Sequence, residues 1–280
     1  MCVPVTVIIH TLNEERNIRN CLESVKWAEE IVLIDMYSDD KTVEIARQYT
    51  DKIYYHERVN YVEPARAFGL TKASNEWVLV VDADEMVPKK LKDCLQEIAT
   101  NIECDGVLIP HGNYFFGKKM IATGWGTMQD MHIRFFKKQY MIYSDQIHSF
   151  SHLKEGTKIY PIKDETCSFI HFNYLDPEHF LEKMNRYTTI EVQNLKDKRK
   201  SISTYQLVKR VLDIVYDRYI RKKGYKDGFQ GLALSLLMGT YVLSMELKLL
   251  ISEKYSCRDE IVNEYNKIAE GIIKEYQKFD

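Results

Sequence analysis

The sequence predicts an α/β domain, with helices covering both faces of a mostly parallel sheet, followed by an α-helical C-terminal region. Three observations predict it. Up to about residue 111, short β-branched runs alternate with segments of helical spacing, which is the pattern of βαβ units. Residues 112–173 then turn to glycines, aromatics and short apolar runs, which suit hairpins and loops. From Asp176 onward only helical spacing remains. The expected division is an α/β domain over 1–173 and a helical domain over 174–280.

The strands of the first part are expected at Val5–His10, Ile31–Asp35, Lys52–His56, Trp77–Asp82 and Gly106–Ile109. In a parallel sheet ligands bind beyond the carboxyl ends of the strands, where the loops converge, so strand-end residues are the candidates for chemistry. Asp176-Pro177-Glu178 reads as a helix start: a capping Asp, a proline in the first turn and an early acid. The helices that follow are expected to break near Lys196–Ser201, Lys223–Asp227 and Ser256.

A chain of 280 residues, 45% hydrophobic and 29% charged, can bury a large core. Lys plus Arg (39) nearly balances Asp plus Glu (41), so no global charge points to nucleic acid. The six cysteines are scattered without a C-x-x-C pair and read as free thiols of a reducing compartment. The apolar run Val3–Ile9 lacks a basic leader and a cleavage site. It reads as a first strand, and a cytoplasmic setting is expected.

The first strand ends in His10-Thr11-Leu12-Asn13-Glu14-Glu15. Asn13 is expected to cap the next helix, either as an ordinary N-cap or with the amide end facing an anion or a nucleotide. The second strand ends in Asp35-Met36-Tyr37-Ser38-Asp39-Asp40. Asp35 suits a base N–H or a ribose hydroxyl; the alternative is a polar turn capping the following helix through Asp39 or Asp40. The most specific segment is Trp77-Val78-Leu79-Val80-Val81-Asp82-Ala83-Asp84-Glu85, a doubly buried strand ending in three acids. In extended backbone Asp82 and Asp84 would point the same way, an arrangement that suits a hard divalent cation sharing phosphate oxygens.

These strand ends stand in the order and spacing of the family 2 glycosyltransferases, and the sequence resembles in particular the branch that includes bacterial lipopolysaccharide-core transferases. The resemblance runs through T-L-N-E-E, D-x-x-S-x-D-x-T (Asp35, Ser38, Asp40, Thr42), Ala65-Arg66 and W-V-L-V-V-D-A-D-E. It continues through Gly124-Trp125, Asp130-x-x-x-Arg134-Phe-Phe, Lys183-Met-Asn-Arg-Tyr187 and Lys223-Gly-Tyr-Lys-Asp-Gly228-Phe-Gln-Gly231. It implies a GT-A fold and an inverting transferase that moves a sugar from a nucleotide diphosphate donor, expected to be a UDP-sugar, to a hydroxyl of a cell-envelope glycan or glycolipid.

The resemblance also implies roles. Thr11 and Asp35 would hold the base and ribose, with Asn13, Glu14 and Ser38 beside them, and Arg66 would lie near the diphosphate. Asp82, Ala83 and Asp84 form the D-x-D segment, with Asp82 and Asp84 as ligands of Mn²⁺ or Mg²⁺. Asp130 would be the base, with Glu85 as its internal rival. The sequence departs from the family at Ala67, where an Asn is usual, and at His148-Ser149, where His-Glu is usual. His148 is a metal or diphosphate candidate, or structural. Trp125 is either a floor for a sugar or a loop anchor.

Between Lys196 and Lys226 eleven basic residues face only Asp197, Asp213 and Asp217. They precede an uncharged stretch from Gly228 to Met245 of 18 residues, at the lower limit for spanning a bilayer. Internal glycines and polar residues favour a core helix. Peripheral contact with an anionic membrane, acceptor contacts and a homodimer are the candidate uses of the helical half. Two rival readings are a sugar-phosphate nucleotidyltransferase, which would show a glycine-rich loop after the first strand, and an inactive sugar-binding or scaffold protein.

Overall fold

The computed structural model describes residues 3–58, 63–143, 152–196, 198–199 and 202–276. The chain runs β1 (Val5–Thr11), α1 (Ile18–Val25), β2 (Glu30–Asp35), α2 (Thr42–Ala46), β3 (Ile53–Tyr55), α3 (Glu63–Lys72), β4 (Trp77–Asp82), β5 (Glu85–Met86) and α4 (Lys89–Asn101). It continues through β6 (Gly106–Phe115), β7 (Lys118–Lys119), β8 (Met131–Lys137), β9 (Met141–Ile142), β10 (His152–Leu153), β11 (Ile159–Pro161) and β12 (Phe169–Tyr174). Four long helices follow: α5 (Pro177–Leu195), α6 (Thr204–Tyr216), α7 (Phe229–Lys254) and α8 (Arg258–Tyr276).

The main sheet has the order β3-β2-β1-β4-β8-β6-β12-β5. Strands β1 to β4 are mutually parallel; β8 runs antiparallel to both β4 and β6, and β12 is parallel to β6. Alternation along the strands separates two apolar clusters. Val5, Val7, Ile9, Leu33, Leu79 and Val81 pack with Leu22, Val25, Leu91 and Leu95 of α1 and α4. Ile8, Val32, Ile34, Val78 and Val80 pack on the opposite face with Ala65 of α3. Both faces are therefore covered, which is why these strands read as continuous apolar runs. Parallel register brings the functional ends together: Thr11 is paired with Asp35, and His10 with Asp82.

By density of internal packing the chain divides into two units, 1–180 with 218–232, and 181–217 with 233–280. The segment Arg218–Leu232 thus belongs to the first unit although it lies inside the helical half. In the second unit Val192, Met245 and Leu249 form a small core. Buried Glu246 is paired with Arg199 and, at 2.7 Å, with Arg210. The start of α5 is as expected, with Asp176 Oδ1 accepting from His179 N at 2.7 Å.

Three expectations are corrected. Cys94 and Cys167 form a disulfide across 73 residues, so the cysteines are not all free; α4 and the approach to β12 meet only in three dimensions, and spacing could not show it. Cys21, Cys104 and Cys257 are free among the described residues. Asn13 is not a helix cap: it lies at φ 57, and α1 begins only at Ile18. Finally, α7 is not simply a core helix. By length and composition it is apolar enough to cross a membrane, and Leu236, Leu243, Leu247 and Leu250 on it are exposed.

Candidate active site

The site is built at the carboxyl ends of β1, β2 and β4. Asp35 is fully buried and accepts hydrogen bonds from Ser38 N at 2.9 Å and Ser38 Oγ at 2.6 Å. Asn13 ties the first loop to the second: its N–H donates to Ser38 Oγ, and its Oδ1 accepts from Asp39 N, both at 2.9 Å. Asp40 caps the turn into α2, accepting from Thr42 N at 2.9 Å, and Glu14 N donates to Thr42 Oγ1 at 2.8 Å. Thr11, Asn13, Glu14, Asp35 and Ser38 are thereby brought into one loop cluster. Thr11 Oγ1 is buried within it with no hydrogen-bond partner.

The acids after β4 take different partners. Ala83 and Asp84 lie in a turn rather than in extended backbone, which corrects the expectation of two parallel carboxylates. Asp82 is paired with Arg66 at 3.1 Å and with Arg134 at 2.7 Å. Burial raises its carboxyl, but the Arg134 and Arg66 charges hold it well below the usual range. The Arg66 side chain is 15% exposed, and its Nε has no partner. Glu85 Oε2 accepts from Asp82 N at 2.8 Å, while Oε1 lies 3.5 Å from Arg134 and 3.3 Å from His111 Nε2. Burial raises the Glu85 carboxyl, but Arg134 and the His111 contact together outweigh it and leave it at about 2. This fully buried, paired acid is braced in the wall, unlike a base that must reach an acceptor.

Asp84 faces His171 Nε2 at 3.5 Å. From there a line of contacts crosses three strands. His171 Nδ1 meets Asn113 Oδ1 at 2.7 Å, Asn113 Nδ2 donates to Asp130 Oδ2 at 2.7 Å, and His132 Nε2 meets Asp130 Oδ1 at 2.8 Å. Burial raises the Asp130 carboxyl, but the His132 and Asn113 hydrogen bonds bring it to about 2, so it is ionised at neutral pH. Burial lowers His171, yet Asp84 with Glu85 and Asp82 together outweigh it, and its imidazole is raised above the ordinary value. His10 is the reverse case: burial and Arg66 lower it to about 3, so it is neutral.

Trp125 packs on Phe115 with ring centroids 5.0 Å apart, and the Arg218 guanidinium sits 4.2 Å from its ring centroid. Its carbonyl accepts from Asn113 Nδ2 at 3.1 Å, so it adjoins Asp130. His148 lies outside the described residues. Four residues of these contacts had no assigned role from sequence: Arg134, Asn113, His171 and His132. Arg134 stood inside a motif, and its charge four residues after Asp130 was the available signal. Nothing linear marks Asn113 and His171, which are paired across parallel strands.

The acids of this corner differ in what holds them. Asp84 and His171 offer an oxygen and an imidazole nitrogen side by side, whereas both Asp82 oxygens are held by arginines. Among the described residues no group of three or more His, Cys, Asp or Glu could hold a metal. Two protein ligands suffice where a phosphate ligand and water complete the shell.

The glycosyl transferase family 2 model matches residues 6–158. A lipopolysaccharide core biosynthesis glycosyltransferase of Rhizobium meliloti is 25% identical over 88% of this chain and 92% of its own. A glycosyltransferase of Rickettsia felis is 23% identical over 83% and 84%. Glycosyltransferase SunS of Bacillus phage SPbeta is 33% identical over 40% of this chain and 28% of its own. Among solved structures, S. aureus TarS 1–349 aligns with TM-score 0.45 and 16% identity over 88% of this chain and 82% of that one.

Proposed function

This chain belongs to glycosyl transferase family 2, and on that premise we propose that it transfers a sugar, with inversion, from a UDP-sugar to a hydroxyl of a cell-envelope glycan or glycolipid. The observation that carries the reading is the line Asp84–His171–Asn113–Asp130–His132. It joins an acid suited to a cation on the donor side with an ionised acid suited to a proton on the acceptor side. Thr11 and Asp35 would take the base and ribose, supported by the unpartnered Thr11 hydroxyl. Arg66 and Arg134, although paired with Asp82, keep the unpartnered donors Arg66 Nε and Arg134 Nη1, which would suit the oxygens of a diphosphate.

Asp84 and His171 would hold Mn²⁺ or Mg²⁺, with Asp82 beside them; when bound, the cation stabilises charge on the departing nucleoside diphosphate. Asp130 would take the acceptor proton as the hydroxyl attacks the anomeric carbon. Its anionic state supports a base, and Asn113 and His132 fix its orientation. Inversion needs only this one base.

A cytoplasmic setting at the inner face of a membrane is part of the same proposal. Tyr205, Val208, Leu212 and Tyr216 of α6 form an exposed apolar stripe at helical spacing, with Lys209 among them, which supports contact with anionic lipid. On α8 a second exposed stripe, Val262, Tyr265, Ile268, Ile272 and Tyr276, supports a homodimer.

The test is a thermal-shift screen of nucleotide sugars with Mn²⁺, because a bound donor stabilises the folded state by mass action. A UDP-sugar is expected to raise Tm only with the cation present, and its turnover to release UDP. Release of pyrophosphate from a nucleoside triphosphate and a sugar 1-phosphate would instead indicate a nucleotidyltransferase. No stabilisation and no turnover with any donor would indicate a scaffold.

A further inference from the structure

The segment Lys223–Gly231 has no role in the chemistry above, yet it packs with the catalytic unit. Asp227 is fully buried. Its Oδ1 accepts from Ile121 N at 2.8 Å, and its Oδ2 accepts from Ala122 N at 3.1 Å and Thr123 Oγ1 at 2.5 Å. Its main-chain carbonyl accepts from Lys118 Nζ at 2.9 Å. One residue therefore grips β7 and the loop that follows it towards β8.

The grip falls on a strained point. Thr123 lies at φ 63 and is completely buried, and a β-branched residue enters the left-handed region only when its surroundings hold it there. Arg218 and Lys222, just before this segment, supply further holds. Thr123 N donates to Lys222 O at 3.1 Å, Arg218 Nη1 donates to Thr123 O at 3.0 Å, and Gln129 Nε2 donates to Lys222 O at 3.2 Å. The glycines of the motif allow this approach: a Cβ at Gly231 would stand 1.9 Å from Gly224 O, and one at Gly224 would stand 2.7 Å from Arg218 O.

From Thr123 the chain leads directly to the reacting groups. Trp125 N and Gly126 N both donate to Ala122 O, at 3.0 and 2.9 Å, and Asp130 N donates to Gly126 O at 3.2 Å. These bonds connect 121–123 to both Trp125 and Asp130.

We infer that Asp227 is a positioning residue, holding Thr123 in its left-handed conformation so that Trp125 and Asp130 stand at the acceptor side of the site. The inference rests on the reading of Asp130 as base. It makes the Lys223–Gly231 motif a clamp that the C-terminal half of the sequence supplies to the catalytic loop.

The experiment compares wild type, Asp227→Asn, Thr123→Gly and the double variant. Amide hydrogen exchange is followed in peptides across 118–130 and in β1 and β4. UDP affinity with Mn²⁺ is measured by calorimetry, and UDP release from the UDP-sugar that stabilises the wild type most gives turnover. In Asp227→Asn, exchange is expected to rise in 118–130 alone, UDP affinity to stay within about twofold, and turnover to fall by about tenfold or more, as misplacement of a reacting group does. Adding Thr123→Gly is expected to recover turnover, because glycine adopts a positive φ without strain. Native exchange across 118–130 in Asp227→Asn, or UDP affinity and turnover falling in equal proportion without recovery in the double variant, would overturn the clamp. If the wild type neither binds UDP nor turns over, the proposed reaction fails, and the exchange data alone decide whether the clamp exists.

Discussion

Arg134 Nη2 donates to Asp82 Oδ2 at 2.7 Å across 52 residues of sequence. The contact joins β8 to the end of β4, and Arg66 of α3 closes on the same carboxylate. A carboxylate so enclosed is ionised, low in energy and difficult to unpair. This gives Asp82 a different place from Asp84, although they are two residues apart.

Removing one partner of a buried pair strands the other. Arg134→Met is expected to destabilise the protein by roughly 3–5 kcal/mol, because Asp82 and Glu85 lose a shared cation. Arg134→Lys recovers only part of this, since an ammonium cannot span both acids as a guanidinium fork does. Chemical denaturation of the three proteins checks the order; equal stability of Arg134→Met and wild type would show that the pair contributes nothing.

Asp130→Asn is expected to keep UDP affinity and to lose transfer by about 10²–10⁴-fold, the usual worth of a positioned base. Because the Asp130 carboxyl is at about 2, it stays ionised as pH falls from about 7 to about 4. Its protonation therefore adds no acid limb to the rate over that range. A limb near pH ~5 in the wild type that disappears in Asp130→Asn would contradict the assignment, as would near-normal transfer by the variant.

If Asp84 and His171 hold the cation, Asp84→Asn and His171→Ala should each weaken Mn²⁺ affinity by about 10–100-fold, in the range seen when a metal site loses a supporting contact. Titration of Mn²⁺ by electron paramagnetic resonance in the presence of UDP reads this directly. Unchanged affinity in both variants would move the cation elsewhere.

Glu30 anchors the far end of the sheet. It receives donors from Thr6 and Lys52, and at 2.7 Å from both Ser74 N and Ser74 Oγ. Burial raises its carboxyl, but these donors outweigh burial and lower it from 4.5 to about 2. A depressed carboxylate stabilises the fold fully above its unfolded pKa, and that contribution is lost as pH falls from 4.5 towards 2. Glu30→Gln is accordingly expected to cost roughly 2–3 kcal/mol at neutral pH and progressively less in acid. Denaturation midpoints at about pH 7 and about pH 3 test it: a constant difference between the proteins would show that charge is not the cause.

Much of the α/β core was legible because it depends on local pattern. The runs ending at Thr11, Asp35 and Asp82 are apolar on both faces, so their type and ends are written in successive residues. The same held for the helix start at Asp176-Pro177. The cap expected at Asn13 failed because its side chain reaches Asp39, 26 residues away, instead of the amides just ahead of it. The Cys94–Cys167 bond was illegible for the same reason, as neither cysteine carries a mark of the other.

By itself the sequence determined the alternation of strands and helices up to about residue 111, the acids that end those strands and the family to which the chain belongs. These follow from periodicity and from residue types at short spacing. Only the tertiary structure decided which acid meets which partner. It gave Asp82 to two arginines and Asp84 to His171, linked Asp130 to Asn113, and brought Asp227 under Thr123. Pairing of this kind is set by strand register and by close packing between distant segments, so it depends on the assembled fold rather than on neighbours along the chain.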